Sequence, residues 1–197
     1  MDAVTLSPGQ SVTSSRSNVW NIPNALTTAR LVMAGVLFLC ISAEMWPVCL
    51  TIFIVAAFTD WLDGFLARKH GSTSAFGRNF DPLVDKILVC GAFVFLLPVK
   101  DALLAPWMVT LVVARELVVT GLRSYFESRN TSFGADMFGK VKMVLQCAAL
   151  IAIFIALSWP SEGRRPIHVG LIYAMVVATA LSGLQYVIRA VAIFSRA

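Results

Sequence analysis

The sequence predicts an all-α integral membrane protein of six transmembrane helices, and three observations carry that reading. Hydrophobic residues make up 58% of the 197 and charged residues only 14%, too little polar surface to clothe a water-soluble core. The apolar stretches are long enough to span roughly 30 Å of hydrocarbon at about 1.5 Å per residue. Lys and Arg crowd alternate connections, as they do when successive loops fall on opposite sides of a bilayer.

Residues 1–19 are rich in Ser and Thr, follow no pattern, and are expected to be disordered, leaving residues 20–197 as one integral domain without repeats. Trp20 to Leu26 predicts a short interfacial segment, with Trp20 at headgroup depth and Pro23 setting the entry into the first helix. The helices are expected at 24–44, 46–67, 82–99, 104–126, 140–159 and 168–192. The first apolar run is too long for a removable signal peptide and lacks its small-residue cleavage site. Between the second and third helices, Gly71, Ser72, Thr73 and Ser74 mark a loop. Asp81-Pro82 resembles an N-cap followed by proline at the first helical position, where the missing N–H costs nothing.

With the N-terminus inside, thirteen of the 16 basic residues fall on cytoplasmic ends and loops, and only Lys100, Arg164 and Arg165 lie outside. Arg115 and Arg189 sit within helices and count for little, yet without them the balance is still eleven to three. Both termini are therefore expected in the cytoplasm. A short multi-pass chain of this kind suits a bacterial inner membrane. The net charge of +5 favours anionic lipids and substrates, and its distribution suggests no nucleic-acid face.

Chemistry concentrates at residues 60–85: Asp60-x-x-Asp63-Gly64-x-x-Ala67-Arg68, eight residues, then Gly77-x-x-x-Asp81-x-x-x-Asp85. Uncompensated charge beside such apolar sequence is costly, so four carboxylates there imply a positive ligand. Asp60 and Asp63 are spaced i,i+3 and Asp81 and Asp85 i,i+4, so each pair shares one face if its segment is helical. Carboxylates select hard cations such as Mg²⁺ or Mn²⁺, and two such ions side by side clamp the attacking and leaving oxygens of a phosphoryl displacement. Phosphoryl transfer is the reaction class this pattern predicts.

The eight spaced positions resemble the signature of the CDP-alcohol phosphatidyltransferases. If each matched by chance about one time in twenty, all eight would be expected on the order of 10⁻¹⁰ times per starting point. The resemblance implies that Gly64, Arg68 and Gly77 help hold the cytidine diphosphate, that Asp60, Asp63 and Asp81 sit on two divalent ions, and that Asp85 beside them is the general base. It also implies a homodimer in membrane lipid.

Three further stretches refine the expectation. Asn24-x-x-Thr27-x-x-Arg30 places polar groups within reach of a diphosphate, with snorkelling of Arg30 as the alternative. Ala114-Arg115-Glu116 and Arg123 put charge where only a polar cavity or pairing across helices makes it tolerable. Gly139-Lys140-Val141-Lys142, with Gln146, offers two cations to an acceptor phosphate. In this order they resemble family members that move the phosphatidyl group of CDP-diacylglycerol to sn-glycerol 3-phosphate, making Arg115, Arg123, Lys140 and Lys142 candidate acceptor contacts. Met143 departs from the threonine common there in such enzymes. A relative using phosphatidylglycerol, as cardiolipin synthase does, or another acceptor is the alternative. A divalent-cation transporter fits less well, because the acids lie at one end of their helices rather than along a path.

The four cysteines, Cys40, Cys49, Cys90 and Cys147, have no C-x-x-C spacing and are expected to be reduced packing residues. His70 and His168 are expected in opposite loops as surface residues, and no Ser-His or Cys-His arrangement is evident.

Overall fold

In apolar surroundings a backbone must satisfy its own N–H and C=O groups, and a helix does so within one segment. A computed structural model describes the backbone of residues 22–70, 75–128 and 137–195, and the side chains there other than those of 22–27, 60–70, 75–83, 85, 127 and 194. The regular elements among them are all helical: α1 (Ile22–Ser42), α2 (Trp46–His70), α3 (Ala75–Leu96), α4 (Pro106–Ser128), α5 (Met137–Ser158) and α6 (Arg165–Phe194). Single 3₁₀ turns, Lys100–Ala102 and Glu162–Arg164, precede α4 and α6. The stretch 1–19, Trp20 and Asn21 of the expected interfacial segment, and the expected loop 71–74 lie outside the described residues, while Ile22 to Leu26 already belong to α1.

Met137–Ser158 and Glu162–Ile193 are long and apolar enough to cross a membrane. Thr28–Ser42, Trp46–Thr59 and Lys86–Leu96 are shorter apolar helical stretches. In α2 and α3 the apolar part is cut short by the charged residues of the acidic motif, and α4 is interrupted by Arg115, Glu116 and Arg123.

The core is built where α1 lies along α3, α5 against α2 and α6, and α4 against α6. Leu37, Phe53, Phe93, Leu96, Ile153 and Phe154 are fully enclosed within it. The Phe53 and Phe154 rings join α2 to α5 at 6.0 Å. On α3, Gly91 leaves room for the Phe38 ring of α1, since a Cβ there would fall 2.2 Å from Phe38 Cζ. That close approach lets Phe38 stack on Phe95 at 4.8 Å with planes 6° apart.

Two expectations are corrected. α3 begins at Ala75, not at Pro82, so Asp81-Pro82 lies in the second and third turns of a helix and is no N-cap. The ring leaves the Arg78 carbonyl without its usual N–H partner, a loss that helices in apolar surroundings tolerate. Nor are the histidines loop residues. His70 is the last residue of α2, and His168 stands in the first turn of α6 with only 4% of its surface exposed.

All three connections α1–α2, α3–α4 and α5–α6 border one cavity, to which Glu44, Lys100 and Glu162 each contribute. The bundle therefore has one end made of these turns and an opposite end carrying the acidic motif.

Candidate active site

Helical backbone runs unbroken through both carboxylate pairs, so the sharing of a face that the spacing required is met in α2 and α3. Asp60 and Asp63 stand ten and seven residues before the end of α2, and Asp81 and Asp85 six and ten residues after the start of α3. At about 1.5 Å per residue both pairs lie about 9–15 Å along their helices from the short connection. The side chains of Asn24, Thr27, Asp60, Asp63, Arg68, Asp81 and Asp85, with Gly64 and Gly77, lie outside the described residues.

One residue beyond Asp85 the described site begins. Lys86 and Cys90 of α3, Glu116 of α4, and Lys142, Met143 and Gln146 of α5 line a cavity of about 150 Å³. Glu116 is its electrostatic centre. Only 6% exposed, it accepts from Arg115 Nη1 at 3.1 Å and from Lys142 Nζ. Lys142 also donates to Gln146 Oε1 at 3.2 Å. Arg115 reaches the other way, to Ser182 Oγ of α6 at 2.5 Å, and its guanidinium lies 5.4 Å from the centre of the Tyr186 ring. Of the two glycines beside Arg115, Gly183 is the one that leaves room for that reach. A Cβ on Gly183 would press on Arg115 Cγ at 3.3 Å, and one on Gly139 would meet Tyr186 Oη at 3.8 Å. Lys86 Nζ donates to Thr120 Oγ1, which itself donates to the Glu116 carbonyl at 2.6 Å.

The structure thus brings Arg115 and Lys142 together through Glu116, while Lys140 and Arg123 are exposed on α5 and α4. Arg30 is 2% exposed, so it is enclosed by the bundle rather than snorkelling. Gln146 Nε2 and Arg115 Nε are buried donors without a protein acceptor. Two ammonium groups and the unpartnered Gln146 Nε2 around one small cavity, with the Arg115 guanidinium held on Glu116 behind them, suit an anionic oxygen ligand. Sequence reading missed Lys86, Thr120, Ser182 and Tyr186. Lys86 was detectable, following Asp85 directly, whereas the other three depend on helices meeting across the fold. All four cysteines are free thiols, and Cys90 borders the cavity.

The profile of the CDP-alcohol phosphatidyltransferase family matches residues 20–194. The chain belongs to that family. Among the relatives of this phosphatidyltransferase, the CDP-diacylglycerol–glycerol-3-phosphate 3-phosphatidyltransferase of Bacillus subtilis (strain 168) is 34% identical over 152 residues, covering 70% of this chain and 78% of that protein. A probable phosphatidylglycerophosphate synthase of Mycobacterium tuberculosis (strain ATCC 25618 / H37Rv) is 35% identical over 198 residues, 95% of this chain and 90% of its own. The Arabidopsis thaliana CDP-diacylglycerol–glycerol-3-phosphate 3-phosphatidyltransferase 2 is 31% identical over 182 residues, or 85% and 78%.

Proposed function

We propose that this phosphatidyltransferase moves the phosphatidyl group of CDP-diacylglycerol to sn-glycerol 3-phosphate, releasing CMP. The observation that carries the acceptor assignment is the cationic cavity that begins at Lys86, in which Glu116 matches only part of the charge of Lys86 and Lys142 and is itself also paired with Arg115. Relatives named for this same reaction support it.

Asp60, Asp63, Asp81 and Asp85 would hold two divalent ions, Mg²⁺ or Mn²⁺, and an all-carboxylate donor set on two helical faces fits such hard cations. When bound, the ions neutralise the diphosphate and the charge on departing CMP. Gly64, Arg68 and Gly77, with Asn24, Thr27 and Arg30, hold the nucleotide and its diphosphate. Asp85 accepts the proton of the acceptor hydroxyl as it attacks the phosphorus bearing the diacylglycerol. No covalent enzyme intermediate is needed. Lys142 has three N–H donors, of which Glu116 and Gln146 engage two, leaving one for the acceptor phosphate. Lys140, Arg123 and Arg115 complete the basic surroundings.

The same reading places all six helices across a bacterial inner membrane with both termini and the site cytoplasmic, as a homodimer. Supporting it, large apolar side chains face outward along the bundle, among them Leu39, Leu117, Val144 and Val191, each more than 60% exposed. Purified protein given CDP-diacylglycerol and a panel of acceptors, with products resolved by mass, tests the assignment. Phosphatidylglycerophosphate should dominate, and robust use of free serine, inositol or phosphatidylglycerol would overturn it.

A further inference from the structure

The end opposite the carboxylates holds a second cavity, of about 570 Å³, within the size range of ligand sites. From Lys142 to Ala156, a pocket residue at that end, α5 rises about 21 Å, so the two cavities are well separated. Both signs of charge line the second one: Glu44, Asp101 and Glu162 against Lys100 and Arg165. Among the described residues no ion pair joins these five to one another. Beneath them His168 borders the cavity while being 96% buried, and its Nε2 has no hydrogen-bond partner. The imidazole is bonded to the Ala102 backbone. Because a backbone carbonyl can only accept, the other ring nitrogen carries the proton, and Nε2 presents a lone pair that calls for an N–H donor.

Depth identifies the source of that donor. Trp46 opens α2, Trp107 is the second residue of α4 and Trp159 directly follows α5, so three tryptophans ring this end at the level that amphipathic indoles occupy in lipid headgroups. Glu44 and Leu103, which both border the cavity, hold left-handed backbone at φ of 56° and 55°, an uncommon state for residues other than glycine. The geometry points to a binding site for the headgroup of a zwitterionic aminophospholipid. The ammonium is received by His168 Nε2 and the carboxylates of Asp101, Glu162 and Glu44, and the phosphodiester by Lys100 and Arg165. An anionic headgroup without an amine would leave the imidazole and the acids unmatched. This site goes beyond the proposed transfer reaction and shares with it only the placement of the bundle across a bilayer.

Native mass spectrometry of the full chain, in micelles holding equal phosphatidylethanolamine and phosphatidylglycerol, tests the assignment. The protein should retain the aminophospholipid about tenfold more than the anionic one. Asp101→Asn with Glu162→Gln should bring the ratio close to parity, and Lys100→Gln should lower retention of both lipids. These residues are exposed, so the variants should unfold at the wild-type temperature and keep phosphatidyl transfer. His168→Phe should abolish the preference as well. Equal retention by the wild type, or an unchanged ratio in the Asp101→Asn, Glu162→Gln protein, would overturn the site. Displacement of the lipid by excess free O-phosphoethanolamine would assign the cavity to a soluble zwitterion instead. Failure of the transferase assay alone would refute the proposed function and leave this ratio untouched.

Discussion

Replacing Glu116 with alanine removes the one acidic group among three cations, and its cost follows from the geometry. Glu116, Lys142 and Arg115 are 6%, 6% and 8% exposed, so the substitution strands two buried positive charges. Breaking a buried pair by removing one partner costs about 3–5 kcal/mol. Arg115 keeps Ser182 at 2.5 Å and the Tyr186 ring at 5.4 Å, so most of the loss falls on Lys142 and the lower end of that range, about 3 kcal/mol, is expected. For a chain of this size it corresponds to a fall in Tm of about 6–12 °C. Glu116→Gln, which keeps the shape and one acceptor oxygen, should lose less. The assay is thermal unfolding in detergent, followed by tryptophan fluorescence. A cycle with Lys142→Met isolates the pair: the double variant should be more stable than the sum of the single losses by at least about 1.5 kcal/mol. A Tm within about 1 °C of wild type for Glu116→Ala, or additive losses, would refute the pairing argument.

The remaining predictions address the chemistry and the packing. Asp60→Asn, Asp63→Asn and Asp81→Asn should each abolish turnover, because the amide keeps the shape of the ligand and loses its charge; wild-type activity at saturating Mg²⁺ in any of them would remove that residue from the metal set. Asp85→Asn should retain most CDP-diacylglycerol binding while turnover falls about 10²–10⁴-fold, and a parallel loss of both would leave it a metal ligand only and remove its role as the base. Lys142→Ala should raise the KM for glycerol 3-phosphate about 10- to 100-fold with little change for CDP-diacylglycerol, and Lys140→Ala should show a smaller bias of the same kind; equal losses toward both substrates would indicate a purely structural role. Gly91→Ala should destabilise by about 1–3 kcal/mol because its Cβ meets the Phe38 ring, and Phe38→Leu in the same protein should recover part of the loss in Tm.

The helices were legible because a long apolar run has few alternatives to a helix, although among the described residues only Met137–Ser158 and Glu162–Ile193 are apolar over the length of a bilayer. α5 and α6 begin within three residues of expectation. The start of α3 was misjudged because Asp-Pro is ordinarily a helix opening, and nothing local to Pro82 tells that a helix already extends seven residues before it. Arg115-Glu116 announced pairing across helices by its cost alone. The identity of the partners was hidden, since Lys142 lies 26 residues away and Ser182 lies 67 residues from Arg115. His168 was misread for a related reason: two residues after Pro166 it reads as a loop end, yet the turn holding Ala102, from another connection, folds over it.

The charge balance at the inner cavity bears on how an acceptor is chosen. On the proposed reading, the charge of two divalent ions is taken up by the aspartates and by the diphosphate of the liponucleotide. Of the charged residues lining the pocket, Lys86 and Lys142 face Glu116, and Arg115, paired with Glu116 from outside the lining, brings the cluster to an excess of two positive charges. Glycerol 3-phosphate carries close to two negative ones and completes the balance. An uncharged acceptor such as free glycerol has the same attacking hydroxyl and leaves the excess positive charge uncompensated and the Gln146 Nε2 donor without a partner. Discrimination therefore rests more on the penalty for the wrong acceptor than on attraction of the right one. A penalty shared by the bound state and the transition state falls on kcat/KM rather than on kcat, so glycerol should compete poorly with glycerol 3-phosphate even where a high concentration of it alone supports turnover.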